Sequence, residues 1–271
     1  MKPRIITTLL VTPLAVALIL LLPTAGFAVV IAGLCLLALW EWTRLASLRN
    51  HGVRGVLLAI AIFAFCLLWV WRGTLGWWIV IGLGCAWWFA ALLWLKHFTF
   101  AAAPTRENAA IKLLVGALAI FPAWAALMQL HGSAPYGPGW ALYALALGWA
   151  ADSFAYLAGS RWGRKKLAPN ISPGKTIAGV YGALVGTAIV AMIGGWLLGV
   201  RDAMLLPLVM LALLCVGFSI VGDLFESMIK RHANVKDSGT LFPGHGGVFD
   251  RLDSAFAVLP IFALGKMLLE L

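Results

Sequence analysis

Apolar stretches of about twenty residues recur along the whole chain, and that is the length a helix needs to cross the roughly 30 Å hydrocarbon layer of a bilayer. They lie near 5 to 22, 25 to 42, 54 to 71, 75 to 95, 110 to 130, 138 to 158, 177 to 199, 204 to 224 and 254 to 270. The sequence therefore predicts an all-α, polytopic membrane protein with about nine transmembrane helices. Of its 271 residues 63% are hydrophobic and 11% charged, whereas about 25% are charged in average soluble domains. No soluble domain, linker or repeat breaks the pattern. Residues 1–271 read as one integral membrane domain, with N-terminal spans over 1–130 and a C-terminal region over 138–271. Within that region, loops run over 159–176 and 225–253.

Lys and Arg give the orientation. If the chain starts inside, seventeen of the twenty fall on the cytoplasmic side, Arg72 and Arg201 fall in opposite loops, and Lys266 lies within the last span. That bias predicts N-in, C-out, with both basic loops cytosolic. The first apolar run resembles a signal peptide at its basic start, but it is long and ends without a small-x-small cleavage motif, so it reads as a retained span. Cys35, Cys66, Cys85 and Cys215 lie in apolar runs without metal-ligand spacing and read as packing residues. Trp77, Trp78, Trp87, Trp88 and Trp94 read as structural aromatics near span ends. Gly179, Gly182, Gly186, Gly194 and Gly195 offer surfaces for close helix packing.

Charge is concentrated in one place. Residues 219–253 hold five of the ten carboxylates and four Lys/Arg. Charge this dense beside apolar segments is costly to keep dry and marks a wet site at a membrane surface. Asp223 and Glu226 are three apart, and Lys230 follows Glu226 by four, so a helix would place all three on one face. A structural Glu226–Lys230 pair fits the same spacing. Asp250 and Asp253 repeat the three-residue separation just before the last apolar run, where Asp250 could also act as a helix cap. Asp152 lies near the end of the sixth span, with Tyr156 on the same face.

Asp152, Asp223, Asp250 and Asp253 together could supply hard oxygen ligands to Mg2+. Lys230, Arg231, Lys236 and Arg251 can offset several phosphates. The basic loop adds Arg161, Arg164, Lys165, Lys166, Ser172, Lys175 and Thr176 as phosphate-binding candidates, with lipid headgroups as their alternative partners. Its Gly-Lys-Thr is not a P-loop, because Pro169 stands where the first glycine is required. Gly246 and Gly247 permit tight turns beside a ligand, and His245 could contact phosphate. Carboxylates for metal combined with cations for phosphate point to phosphoryl or nucleotidyl transfer, with a lipid phosphate as the natural acceptor in a membrane.

At these residues the chain resembles bacterial phosphatidate cytidylyltransferase, also called CDP-diacylglycerol synthase. The resemblance is carried by Ser227-x-Ile229-Lys230-Arg231, Lys236-Asp237-x-Gly239 and Phe242-Pro243-x-His245-Gly246-Gly247-Val248-x-Asp250-Arg251-Leu252-Asp253. Upstream it includes Gly222-Asp223-Leu224-x-Glu226, Ile171 to Thr176 and Asp152-x-x-Ala155-Tyr156-x-x-Gly159, so it covers about 144 to 258. Gly174 and Ala178 depart from the pattern, which commonly has a lysine and an acidic residue there, and this leaves the nucleotide contacts of that turn open.

The resemblance implies a homodimeric inner-membrane enzyme whose cytosol-facing site takes CTP, phosphatidate and Mg2+, with K+ beside it, and forms CDP-diacylglycerol and pyrophosphate. It implies metal-ligand roles for Asp223 and Asp250, with Asp152 and Asp253 completing the acidic cavity. Membrane lipids are expected partners and nucleic acid is not. The rival readings are CTP-dependent modification of another membrane lipid and, in a different class, a cation-coupled transporter using Asp152 and Asp223.

Overall fold

In the computed structural model, residues 2–241 and 246–271 are described. Their helices are α1 (Lys2–Leu21), α2 (Thr24–Leu45), α3 (His51–Val70), α4 (Leu75–Lys96), α5 (Arg106–His131), α6 (Gly137–Trp162), α7 (Ile177–Leu197), α8 (Asp202–His232) and α9 (Phe249–Leu268). Each contains most of one apolar stretch read from the sequence. Among the described residues, seven helices, α2 to α8, are long and apolar enough to cross a membrane. The chain is an all-α, multi-pass membrane protein.

Two departures from the expected pattern matter for function. The loop expected over 159–176 is partly helix and partly hairpin. Helix α6 runs on to Trp162, and β1 (Lys166–Ala168) pairs antiparallel with β2 (Ser172–Thr176). The turn expected at Pro173 and Gly174 is thus strand, which a two-stranded hairpin tolerates because proline need only occupy an edge. Helix α8 also continues past the expected end at 224 to His232. Glu226 and Lys230 therefore sit on helix rather than on a loop.

Polar side chains start several helices. Asn50 Oδ1 accepts from the Val53 N–H at 3.2 Å, Thr105 Oγ1 from Asn108 at 3.3 Å and Thr176 Oγ1 from Gly179 at 3.1 Å. Each bond satisfies a donor that the helix leaves free at its first turn. Where backbone cannot find water, such partners are needed.

Helix α5 is the most buried of the seven and packs against α2, α4, α6 and α9. Gly84 of α4 makes this approach possible, because a Cβ there would overlap the Pro122 ring of α5 and lie 3.4 Å from Pro260 of α9. Trp77, Trp87, Trp88 and Trp94 are buried, with Trp77 and Trp94 near the two ends of α4. Three of them, Trp87, Trp88 and Trp94, meet the Phe225 ring edge-on at 5.3 to 6.1 Å. The indole N–H of Trp88 donates to the Phe256 carbonyl at 2.9 Å, tying α4 to α9. Helices α3 and α7 instead leave large apolar side chains such as Phe63, Val185 and Ile189 exposed, as lipid-facing surfaces do.

Helix α7 is held mainly by α6 and α8. Its glycines let α6 come close. A Cβ on Gly182 would lie 2.7 Å from the Phe154 carbonyl oxygen, and one on Gly186 would overlap the Phe154 ring. This contact fixes the hairpin and α7 against the helix that carries Asp152. Replacing Gly186→Val should cost at least about 1–3 kcal/mol by overpacking. The expected result is a lower thermal midpoint in detergent, and an unchanged midpoint would contradict the contact.

Candidate active site

The long helix α8 brings Asp223, Glu226, Ser227 and Lys230 to one face, since residues three and four apart are neighbours on a helix. Helix α9 presents Asp250 and Asp253 in its opening turns, ahead of its apolar part. Helix α6 contributes Asp152, and β2 contributes Lys175 just before α7. All of these except Ser227 line one cavity of about 590 Å³, to which Lys166, Thr176, Asp237 and Arg251 also contribute. Ala151, Ala155, Ala183 and Ile220 complete its wall with small and apolar surface between α6, α7 and α8.

Two lysines pair with three of these carboxylates. Lys175 Nζ is 2.6 Å from Asp223 Oδ2, with the two side chains 22% and 32% exposed. Lys230 Nζ lies 3.0 Å from Glu226 Oε2 and 2.6 Å from Asp250 Oδ1. That second group is drier, at 14%, 2% and 5% exposure for Lys230, Glu226 and Asp250. Ser227 Oγ donates to the other oxygen of Asp223 at 3.4 Å.

Asp250 is fully engaged by protein. Besides Lys230, it accepts on Oδ2 from the Ser238 N–H at 2.8 Å, the Ser238 hydroxyl at 2.9 Å and the Gly247 N–H at 2.8 Å. Burial pushes its carboxyl up, but hydrogen bonds shared with Glu226, Lys230 and Gly247 outweigh this and bring it down to about 2. Asp253 behaves oppositely. Burial first, and then the Asp223 carboxylate, push it up.

Asp223, Glu226 and Asp253 each offer an oxygen, all within 4.8 Å of one another. Glu226 Oε1 is buried and has no hydrogen-bond partner among the described residues. An orphaned buried carboxylate oxygen beside two more carboxylates is the donor set a divalent cation takes, and it is costly without one. These three residues could hold a divalent cation.

The structure thus gathers Asp152, Asp223, Asp250, Asp253, Lys175, Thr176, Lys230 and Arg251 around one cavity. Asp250 and Asp152 are outside the group of three that can share a cation. Arg231 points its Nε to the Ile171 carbonyl at 3.5 Å and so ties α8 to the hairpin. Lys236 is exposed beside the cavity-lining Asp237, whereas Ser172 is half-buried in β2; neither lines the cavity. Gly246 lies against Asp250, with φ of +84° that favours glycine. Gly247 supplies a backbone donor. His245 lies outside the described residues.

Glu41 is what the sequence reading missed. It stands near the C-terminal end of α2, within the N-terminal spans, yet its carboxylate binds the start of α9. It is one of only two acidic residues before Asp152, the other being Glu107, and this rarity was the available signal. Glu226 was read as half of a salt pair, and the structure places it in that pair and in the acidic trio as well.

The Cytidylyltransferase family model matches residues 2–268. The chain belongs to that family. It is 39% identical to the phosphatidate cytidylyltransferase of Pseudomonas aeruginosa over 263 residues, covering 97% of this chain and 96% of that one. It is 32% identical to the phosphatidate cytidylyltransferase of Haemophilus influenzae over 285 residues, covering 97% of each. The likeness to the Bacillus subtilis protein of the same name is 38% over 136 residues, 49% of each chain. The enzyme therefore shares nearly its full length, including the N-terminal spans with Glu41, with two of these relatives.

Lys230→Met in this enzyme would leave Glu226 and Asp250 without their shared counter-ion. Removing one partner from a buried ion pair typically costs about 3–5 kcal/mol. The variant should melt well below wild type in detergent, and equal midpoints would show that Lys230 does not neutralise the pair.

Proposed function

We propose that the enzyme transfers the cytidylyl group of CTP to phosphatidate, forming CDP-diacylglycerol and pyrophosphate. The observation that carries this reading is the acidic trio of Asp223, Glu226 and Asp253 lining one cavity together with Lys175 and Arg251. The full-length likeness to phosphatidate cytidylyltransferases supports the choice of nucleotide and lipid.

In this reaction a phosphate oxygen of the lipid bonds to the α-phosphorus of CTP. The bond from that phosphorus to the bridging oxygen breaks, and pyrophosphate leaves with its electron pair. No protein nucleophile is needed. The chain's own task is to hold two anionic substrates together and to offset their charge. Lys175, Lys166 and Arg251 line the cavity and meet the phosphates as cations. Before substrate arrives, Lys175 neutralises Asp223. A triphosphate that draws Lys175 away leaves Asp223 free to act with Glu226 and Asp253. Lys230 keeps Glu226 and Asp250 in fixed relation and does not need to leave them. The group that Asp223, Glu226 and Asp253 would hold is Mg2+, which when bound supplies neutralisation of triphosphate charge and Lewis-acid polarisation.

The lipid reaches the cavity between apolar walls. Ala151, Ala155, Ala183 and Ile220 suit acyl chains, while Asp152 stands at the polar end of the same wall. The same reading has nine spans, N-in and C-out, in the inner membrane, with the cavity open to the cytoplasm where CTP is found. The excess of Lys and Arg in the loops that would lie inside supports that orientation. A homodimer and a K+ ion beside Mg2+ belong to the same proposal.

Detergent-purified enzyme incubated with CTP and phosphatidate should give a lipid product carrying CMP, with release of pyrophosphate, only when Mg2+ is present. Asp223→Asn should remove most of this turnover while leaving a folded protein. Release of CDP with a phosphorylated lipid would identify a kinase-type reaction instead, and a folded Asp223→Asn enzyme with wild-type turnover would contradict the role of the trio.

A further inference from the structure

Glu41 joins the N-terminal half of the molecule to the reaction site. Its carboxylate is buried, 8% exposed, near the C-terminal end of α2. Oε1 accepts from the Val248 N–H at 3.0 Å. Oε2 accepts from the Phe249 N–H at 2.8 Å and from the Ser238 hydroxyl at 2.8 Å. With Asp250 bound to the Gly247 N–H, two carboxylates thus take three successive backbone donors at the start of α9. The N-cap residue Val248 makes no side-chain cap, and Glu41 takes the first helix donors from another helix.

Ser238 stands between the two acids, with its hydroxyl 2.8 Å from Glu41 Oε2 and 2.9 Å from Asp250 Oδ2. A hydroxyl has one proton to donate, so the two carboxylates share it and are fixed relative to each other. Space has been left for this arrangement. A Cβ on Gly239 or on Gly247 would overlap the Glu41 carboxylate. The turn of α2 that carries Glu41 is itself clamped. Arg54 of α3 donates to the Trp40 carbonyl at 2.8 Å and to the Thr43 hydroxyl at 2.9 Å, and stacks on the Trp40 ring at 3.5 Å.

We infer that Glu41 is a positioning residue for the cytidylyl transfer. Through Ser238 and the first N–H groups of α9 it fixes Asp250, Asp250 fixes Lys230, and Lys230 holds Glu226 at the acidic trio. The inference rests on the reaction proposed above. Glu41 touches no cavity-lining cation assigned to the phosphates, so its loss acts on the geometry of the reacting groups rather than on substrate capture.

The test compares Glu41→Gln, Ser238→Ala, their combination and Trp42→Phe with wild type in the CTP and phosphatidate assay. Glutamine keeps the shape but turns an NH2 toward groups that donate. Glu41→Gln should lower kcat at least about tenfold, with KM for both substrates within about twofold, because small misplacements at a reacting centre have effects of that size. Ser238→Ala should do the same, and the double variant should be no worse than the poorer single one, as expected for residues acting in one chain. Trp42→Phe removes the indole bond to the Lys112 carbonyl, 2.7 Å long, and part of the buried ring system, and keeps a ring against Phe249. It should lower the thermal midpoint and leave kcat within about threefold.

A folded Glu41→Gln enzyme with wild-type kcat would overturn the inference, as would losses that multiply in the double variant, or a kcat in Trp42→Phe as low as in Glu41→Gln. If Glu41→Gln does not fold, Ser238→Ala decides: a large kcat loss at unchanged KM supports the inference, and wild-type kcat overturns it. Absence of product from the wild-type enzyme would instead remove the proposed reaction and this inference with it.

Discussion

Lys230 is the interaction on which the site depends. Two carboxylates from different helices, Glu226 of α8 and Asp250 of α9, converge on its ammonium at 3.0 and 2.6 Å in a nearly dry setting. Neither acid could keep a charge there alone, because burial of an unpaired ion is strongly unfavourable. The pair of contacts therefore dictates how α8 and α9 meet at this end. That meeting in turn leaves Glu226 Oε1 beside Asp223 and Asp253. The same lysine solves a folding problem and sets the shape of a ligand site.

Around this point the bundle is rigid in some directions and open in others. Phe225 is enclosed by the rings of Trp87, Trp88 and Trp94, which lock α8 to α4 on the side away from the cavity. On the cavity side the walls are small residues, and α7 is held to α6 by contacts that only glycine permits. Bulk behind the site and small side chains in front of it leave room for a large anionic ligand next to lipid. The hairpin closes one edge, and Arg231 ties it to α8 through the Ile171 carbonyl.

The spans were legible because bilayer thickness imposes one length on every apolar helix. The charged face of α8 was legible for the same kind of reason: Asp223, Glu226 and Lys230 keep helical spacing wherever the helix ends. Its end was not. After 224 charged and polar residues alternate with Phe225, Met228 and Ile229, and hydropathy reads that mixture as loop even where buried ion pairs sustain helix. The hairpin was hidden because Lys166 and Lys175 carry no alternating apolar pattern, and the interior position of Trp88 depends on a carbonyl, that of Phe256, far along the chain. Glu41 was hidden for a related reason. Its partners are the Ser238 hydroxyl and two backbone N–H groups about two hundred residues away, and the backbone donors leave no trace in side-chain identity.

We propose that Asp223, Glu226 and Asp253 share one divalent cation within the cavity assigned here to nucleotide and lipid. Anomalous scattering from crystals of the enzyme soaked with Mn2+ and CTP is the decisive measurement. A single strong peak in contact with oxygens of all three carboxylates, next to the triphosphate, is the expected result. A peak bound elsewhere, with these three side chains turned away from it, would rule out the shared cation.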